Sequence, residues 1–276
     1  MDNKEIPVED WLAGQLNGQM SDWENAVHKF YPQYSKAWTD PKEHFRSLKE
    51  ERNDLDAVKY LDWKTLLKGT ELRALDLGSG TGWLAAFLSV FPNVKRIDAL
   101  DLSRFNLTVM MPEIIKLMGG DAGKITPVLG MFDPMPVEKE RYDIIAASSA
   151  VHHSPNLLHT LRECRRVLKP GGKLVILNET PLPAMRYFVK ISRFFLSSIG
   201  CLLKKSFPEY SPALSRSGFM YDPYLGDNIY SRSQWEEVIK AAGFSFELVS
   251  TPYLPKKDLP GQVAGLSHFI CEKRPG

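Results

Sequence analysis

The chain is poor in the features that mark several common protein classes. It has only three cysteines, Cys164, Cys201 and Cys271, at no paired spacing. That excludes a disulfide framework and a zinc site of the usual ligand spacing, and no His/Cys/Asp run has metal-ligand spacing either, so no metal is expected. Neither sign of charge dominates: 35 basic against 33 acidic side chains leave a net +2, which argues against a nucleic-acid partner. The longest apolar stretch, around Tyr187 to Leu203, is interrupted by Lys190 and Arg193, so stable membrane insertion is not expected. Met1-Asp2-Asn3-Lys4-Glu5-Ile6-Pro7 has no charged-then-apolar leader pattern, and no internal repeat or low-complexity run occurs. These absences predict a cytoplasmic, soluble protein, monomeric or homodimeric. With 276 residues, 43% of them hydrophobic, it can bury one large core with appended caps.

What is present is concentrated in one run, Leu72-Arg73-Ala74-Leu75-Asp76-Leu77-Gly78-Ser79-Gly80-Thr81-Gly82-Trp83-Leu84. An apolar strand ends at an acid, passes through three alternating glycines and enters an apolar helix. Glycines there allow a sharp turn and close approach of backbone to ligand. The helix that follows presents unpaired N–H groups to the crevice, the arrangement found at the carboxyl ends of strands in open α/β sheets. A dinucleotide fingerprint needs its third glycine at position 83. That position is Trp83, which disfavours an NAD-linked oxidoreductase. Further strands are predicted over Arg96–Asp101, Lys124–Leu129, Tyr142–Ala147 and Lys173–Leu177. A helix is predicted over Asn156–Leu168, closed by Lys169-Pro170-Gly171-Gly172.

Asp76-Leu77-Gly78-Ser79-Gly80-Thr81-Gly82 resembles the first motif of the class I S-adenosylmethionine-dependent methyltransferases, and Leu161 through Leu174 resembles the corresponding later helix, turn and strand. The likeness covers about Glu71 to Asn178 plus the tail. It implies a Rossmann-like, seven-stranded, mostly parallel α/β sheet with helices on both faces and an antiparallel last strand. It also implies a helical N-terminal cap over 1–70 and a methyltransferase domain over 71–276 with a substrate-cap insertion at 179–230. The cofactor it implies is S-adenosylmethionine, with S-adenosylhomocysteine as product. Asp76, Gly78, Gly80 and Gly82 would form the cofactor loop. Asp101, 25 residues after Asp76, with Leu102, would meet the ribose. Met131, Phe132 and Asp133 would surround the adenine, Ser148 would line the crevice, and Arg46 would meet the cofactor's carboxylate.

Outside that core, Trp11, Leu12, Leu16, Trp23, Val27 and Phe30 recur at helical spacing, with Ser21 and Glu24 as a capping box. Leu55 to Leu67 forms a second apolar stripe. His28 and His44 are candidates to face the acceptor. Ala184 to Lys205 predicts an apolar helix carrying Arg186, Lys190 and Arg193. Three readings stay open for those cations: a solvated stripe, a wall for an anionic acceptor, or contact with a membrane surface. Phe207 to Tyr230, rich in aromatics, is predicted as the acceptor's lid. In the tail, Ser233 and Glu236 predict a capped helix ended by Gly243, followed by antiparallel strands over Phe246–Ser250 and His268–Glu272.

His152 and His153 stand just past the fourth strand, where a neutral imidazole is well suited to take a proton near pH 7. They are the candidate catalytic residues. Ser148-Ser149-Ala150-Val151 does not match the Asn/Asp-Pro-Pro-aromatic motif of base amino methyltransferases. Neither a nucleophilic Cys nor a pair of glutamates follows the fourth strand. The remaining expectation is a methyltransferase for a small-molecule acceptor of anionic or aromatic character. The alternatives are a catalytically silent S-adenosylmethionine-binding protein or an RNA methyltransferase.

Overall fold

Alternation of apolar side chains builds the sheet, and its two faces carry two separate apolar clusters. The structure is a computed structural model that describes residues 7–12, 35–203, 213–214, 219–222, 226–253 and 265–273. Its strands are β1 (Glu9–Asp10), β2 (Leu72–Leu77), β3 (Val94–Asp101), β4 (Ile125–Leu129), β5 (Tyr142–Ser148), β6 (Leu168–Glu179), β7 (Ala213–Leu214), β8 (Phe219–Asp222), β9 (Asp227–Ile229), β10 (Phe244–Ser250) and β11 (Ser267–Lys273). The α-helices are α1 (Ser35–Thr39), α2 (Pro41–Arg46), α3 (Asp54–Lys59), α4 (Trp63–Leu66), α5 (Trp83–Ser89), α6 (Met111–Met118), α7 (Leu157–Val167), α8 (Ala184–Leu203) and α9 (Arg232–Ala241).

The main sheet runs β1-β4-β3-β2-β5-β6-β11-β10, with β11 antiparallel to both its neighbours and the remaining pairs parallel. In β2, Ala74 joins the cluster on one face with α5, α6 and the N-terminal helices. Leu75 and Leu77 join the other with α7 and α9. Period-two alternation with apolar residues on both faces is what a parallel sheet covered by helices requires. The strand order reverses between β2, which continues through β3, and β5, so a crevice opens above that junction.

Several expectations are corrected. The sheet has eight strands rather than seven because Glu9 and Asp10 pair in parallel with Val128 and Leu129. Two polar residues carry no periodic signal of their own; the exposed edge of β4 recruits them. Trp11 and Leu12 therefore follow a strand and lie outside any helix, and the rest of that predicted helix, with His28, Ser21 and Glu24, falls outside the described residues. Strand β6 begins at Leu168, which already pairs with Tyr142, and the expected turn Lys169–Gly172 becomes a break in its register before Lys173 pairs with Ile144, with Gly171 at φ +76°. Helix α9 is capped by Ser231 with Gln234, not by Ser233 with Glu236. A bridge from Leu182 to Ser231 holds Ser231 extended, so the helix begins earlier. Most of the predicted lid lies outside the described residues; β7, β8 and β9 form a small antiparallel sheet there.

The N-terminal helices share a core with the sheet. Leu48, Leu55, Val58 and Trp63 belong to the same apolar cluster as Ile97, Val175 and Leu177. His268 of β11 reinforces that joint: its Nδ1 accepts the Asn178 amide, so Nε2 carries the hydrogen donated to Ala57 O at 2.8 Å.

Candidate functional site

The carboxyl ends of β2, β3, β4, β5 and β6 converge on one crevice. The loop after β2 crosses it with Gly78, Gly80 and Gly82 at φ +72°, +51° and +76°. These are left-handed conformations that a side chain disfavours. A β-carbon on Gly78 would lie 2.6 Å from Ala150 Cβ and 3.1 Å from the Phe132 ring, and one on Gly82 would strike Met111. Gly80 differs: nothing lies within 4 Å of the position its β-carbon would take. Gly78 and Gly82 are thus closed in by neighbouring protein, and Gly80 has open space beside it.

Two carboxylates hold this loop. Asp76, 1% exposed, accepts the Ala85 amide at 2.8 Å and so ties β2 to the first turn of α5. Its burial raises its pKa to about 8, against that hydrogen bond. Asp101 accepts the Gly80 amide at 2.7 Å and the Ser103 amide at 2.8 Å. Burial pushes the Asp101 carboxyl up, while those amides and nearby His153 oppose the rise. Its two oxygens keep lone-pair capacity for hydroxyl donors. Leu102 is half-buried against the core beneath.

The residues after β4 line the same end of the sheet. Phe132 lies against Gly78, Met131 is 38% exposed, and Asp133 sits farther out, 3.8 Å from His159 Nδ1. Ser148 accepts a hydrogen bond from Asn178 Nδ2 at 2.9 Å. Arg46 is drawn elsewhere: its guanidinium bonds Glu43 and Glu51, both at 2.9 Å, on the outer face of α2. His44 reaches the loop instead. It donates from Nδ1 to Ala37 O at 2.8 Å and accepts from Thr81 Oγ1 at 2.9 Å through Nε2. That pattern requires the neutral ring, and burial, with Arg52 adding to it, lowers the pKa to about 4.

The histidine pair forms a second focus. His152 Nδ1 lies 2.9 Å from Glu179 Oε2, and its Nε2 lies 3.4 Å from Asp227 Oδ1. His153 Nδ1 lies 3.0 Å from the same Asp227 oxygen, and the two rings stand 4.3 Å apart. Asn228 Nδ2 donates to His152 O at 2.9 Å, fastening β9 over the pair. Burial alone would lower the His152 pKa. Glu179 and Asp227 outweigh it, each facing a different ring nitrogen, and raise it to about 10. Asp227, in turn, is held well below the usual carboxylate range by both imidazoles despite its burial. The two carboxylates thus favour the protonated form of His152.

Asp227 and Glu179 escaped the sequence reading. Glu179 carried a usable signal, an acid at a strand's end like Asp76 and Asp101. Asp227 carried none, since it comes from the insertion. One ligand-type atom from each of His152, His153 and Asp227 lies within 4.8 Å of the others. Linear spacing did not disclose this grouping, because Asp227 comes from a distant part of the chain. Among the described residues, no helix is long and apolar enough to cross a membrane.

Residues 75–176 match the family model described as a methyltransferase domain. The demethylmenaquinone methyltransferase of Chlorobaculum tepidum is 28% identical over 177 residues, covering 63% of this chain and 66% of that protein. Its counterpart from Bacillus cytotoxicus is 28% identical over 144 residues, 50% of this chain and 59% of the other. The chain thus spans less than two thirds of the length of these curated relatives. Among solved structures, a candidate methyltransferase from Bacillus halodurans superposes with a TM-score of 0.56 at 20% identity, covering 80% of this chain and all of the other. That likeness speaks to the fold.

Proposed function

We propose that the chain, whose residues 75–176 match a methyltransferase domain, transfers a methyl group from S-adenosylmethionine to a small-molecule acceptor. The observation that carries the reading is the open face of Gly80 beside the Asp101 carboxylate. The residues present fit the cofactor. Asp101 would take the ribose hydroxyls, the glycine backbone would pass beneath the sugar and amino-acid parts, and Phe132 would offer a flat apolar face. When bound, the sulfonium supplies an electrophilic methyl group. The protein's contribution is then alignment of the acceptor and removal of its proton.

For the proton, His153 is the better base of the pair. Its Nδ1 lies 3.0 Å from Asp227 Oδ1, which leaves Nε2 on the other side of the ring to take the acceptor's proton. His152, held as imidazolium between Glu179 and Asp227, stabilises negative charge beside the acceptor instead. A ring-bearing acceptor is supported by the relatives, whose names specify demethylmenaquinone. The balanced charge of the chain speaks against RNA.

Calorimetry with S-adenosylmethionine and S-adenosylhomocysteine, with NAD as control, tests the cofactor. The native chain should bind with micromolar affinity, and Asp101→Ala should weaken binding at least about tenfold, the cost of losing hydrogen bonds to a charged group. No binding, or preference for NAD, overturns the proposal.

A further inference from the structure

Helix α8 exposes the side that the helix of a globular protein normally buries. Met185, Phe188, Val189, Phe195, Leu196 and Ile199 recur at intervals of three, four and seven residues, so they share one face. They are 41–75% exposed. The other large exposed apolar side chains among the described residues, Tyr60, Val90, Val109, Leu117 and Met131, lie scattered on separate elements. Scattered exposure is ordinary for a soluble surface; a continuous stripe marks an interaction site.

The charge around the stripe indicates what it meets. From Thr180 to Pro208 the sequence has five cations, Arg186, Lys190, Arg193, Lys204 and Lys205, and no acidic residue, in a chain whose net charge is only +2. Arg186 precedes Val189 by three residues and Arg193 follows it by four, so both border the stripe on the same side. A two-fold contact between copies of the chain through this face would set the same cations against each other. The helix is too interrupted by charge to cross a bilayer.

We propose that α8 docks on an anionic membrane surface, lying in the interfacial plane with its apolar stripe at the acyl boundary and its basic border among the lipid phosphates. The apolar side chains supply depth, and the cations select anionic lipid. The inference stands on this helix and is independent of the methyl-transfer reading. Its geometry has a consequence for the site. Lys190 on α8 is within electrostatic reach of Asp227, so the docking helix also borders the histidine pair.

The test is flotation of the full chain with vesicles of phosphatidylcholine alone and of phosphatidylcholine mixed with phosphatidylglycerol. Binding to the anionic vesicles should be at least about tenfold tighter and should weaken with salt. The charge variant R186Q/R193Q should lose about twenty-five-fold, near fivefold per cation. Phe188→Gln with Leu196→Gln should abolish binding on both vesicle types while circular dichroism and Tm stay native, since both side chains are already exposed. Should that double variant fail to fold, the charge variant alone still decides. No vesicle binding, or equal binding to both compositions without salt dependence, overturns the proposal. So does a concentration-dependent dimer, abolished by the double variant, in a chain that ignores vesicles.

Discussion

Replacing Gly80 by alanine separates a loop that merely turns from a loop that holds a ligand. Gly80 has φ +51°, so an alanine there carries the left-handed cost of about 1–2 kcal/mol. Nothing lies within 4 Å of the new methyl, so no packing cost adds to it. Gly78→Ala is the internal comparison. Its methyl carries the same conformational cost and also meets Ala150 Cβ at 2.6 Å, where forced overpacking typically costs a further 1–3 kcal/mol or so. Thermal unfolding should therefore show Gly80→Ala a few degrees below the native chain and Gly78→Ala clearly lower, at about 2–4 °C per kcal/mol for a domain of this size. Affinity for S-adenosylhomocysteine should respond in a different order. Gly80→Ala, although the milder fold defect, should lose at least about tenfold, because its methyl occupies the space into which a ligand would settle. Calorimetry on the two variants reads this directly. Gly80→Ala binding as tightly as the native chain, or melting as low as Gly78→Ala, would refute the argument that this position faces the ligand.

Two further predictions concern stability. Asp98 is fully buried and receives Arg73, Arg96, Arg141 and the Tyr142 hydroxyl; Asp98→Ala leaves those partners without their anion and should cost about 3–5 kcal/mol in denaturant unfolding, and a loss below 1 kcal/mol or so would show the cluster to be solvent-compensated. His44 titrates in the fold at about 4 against 6.5 when unfolded, so its contribution is whole above pH 6.5 and is lost as the pH falls toward 4. Between pH 7 and 5 the native chain should therefore lose about 2 kcal/mol more than His44→Gln. His152, raised to about 10, and His268, lowered like His44, act equally in both proteins and drop out of the comparison. Parallel pH profiles for native chain and variant would contradict the neutral His44 ring.

The local chemistry of the chain was enough to determine the parallel strands, the glycine loop and the acid at the end of β3. Each is set by neighbours within a few positions: apolar runs that must be covered on both faces, and left-handed turns that glycine adopts without strain. Tertiary structure decided what depends on groups far apart in sequence. Edge pairing turned Glu9 and Asp10 into a strand. Glu43 and Glu51 drew Arg46 away from the crevice, and Thr81 engaged His44 in its place. The carboxylates that flank His152 are Glu179 and Asp227, the latter arriving from the insertion. The stripe on α8 reads in sequence like any helix face destined for a core. Only the packing of the finished molecule leaves it in solvent, because burial depends on which surfaces remain to cover an element, and no local pattern encodes that.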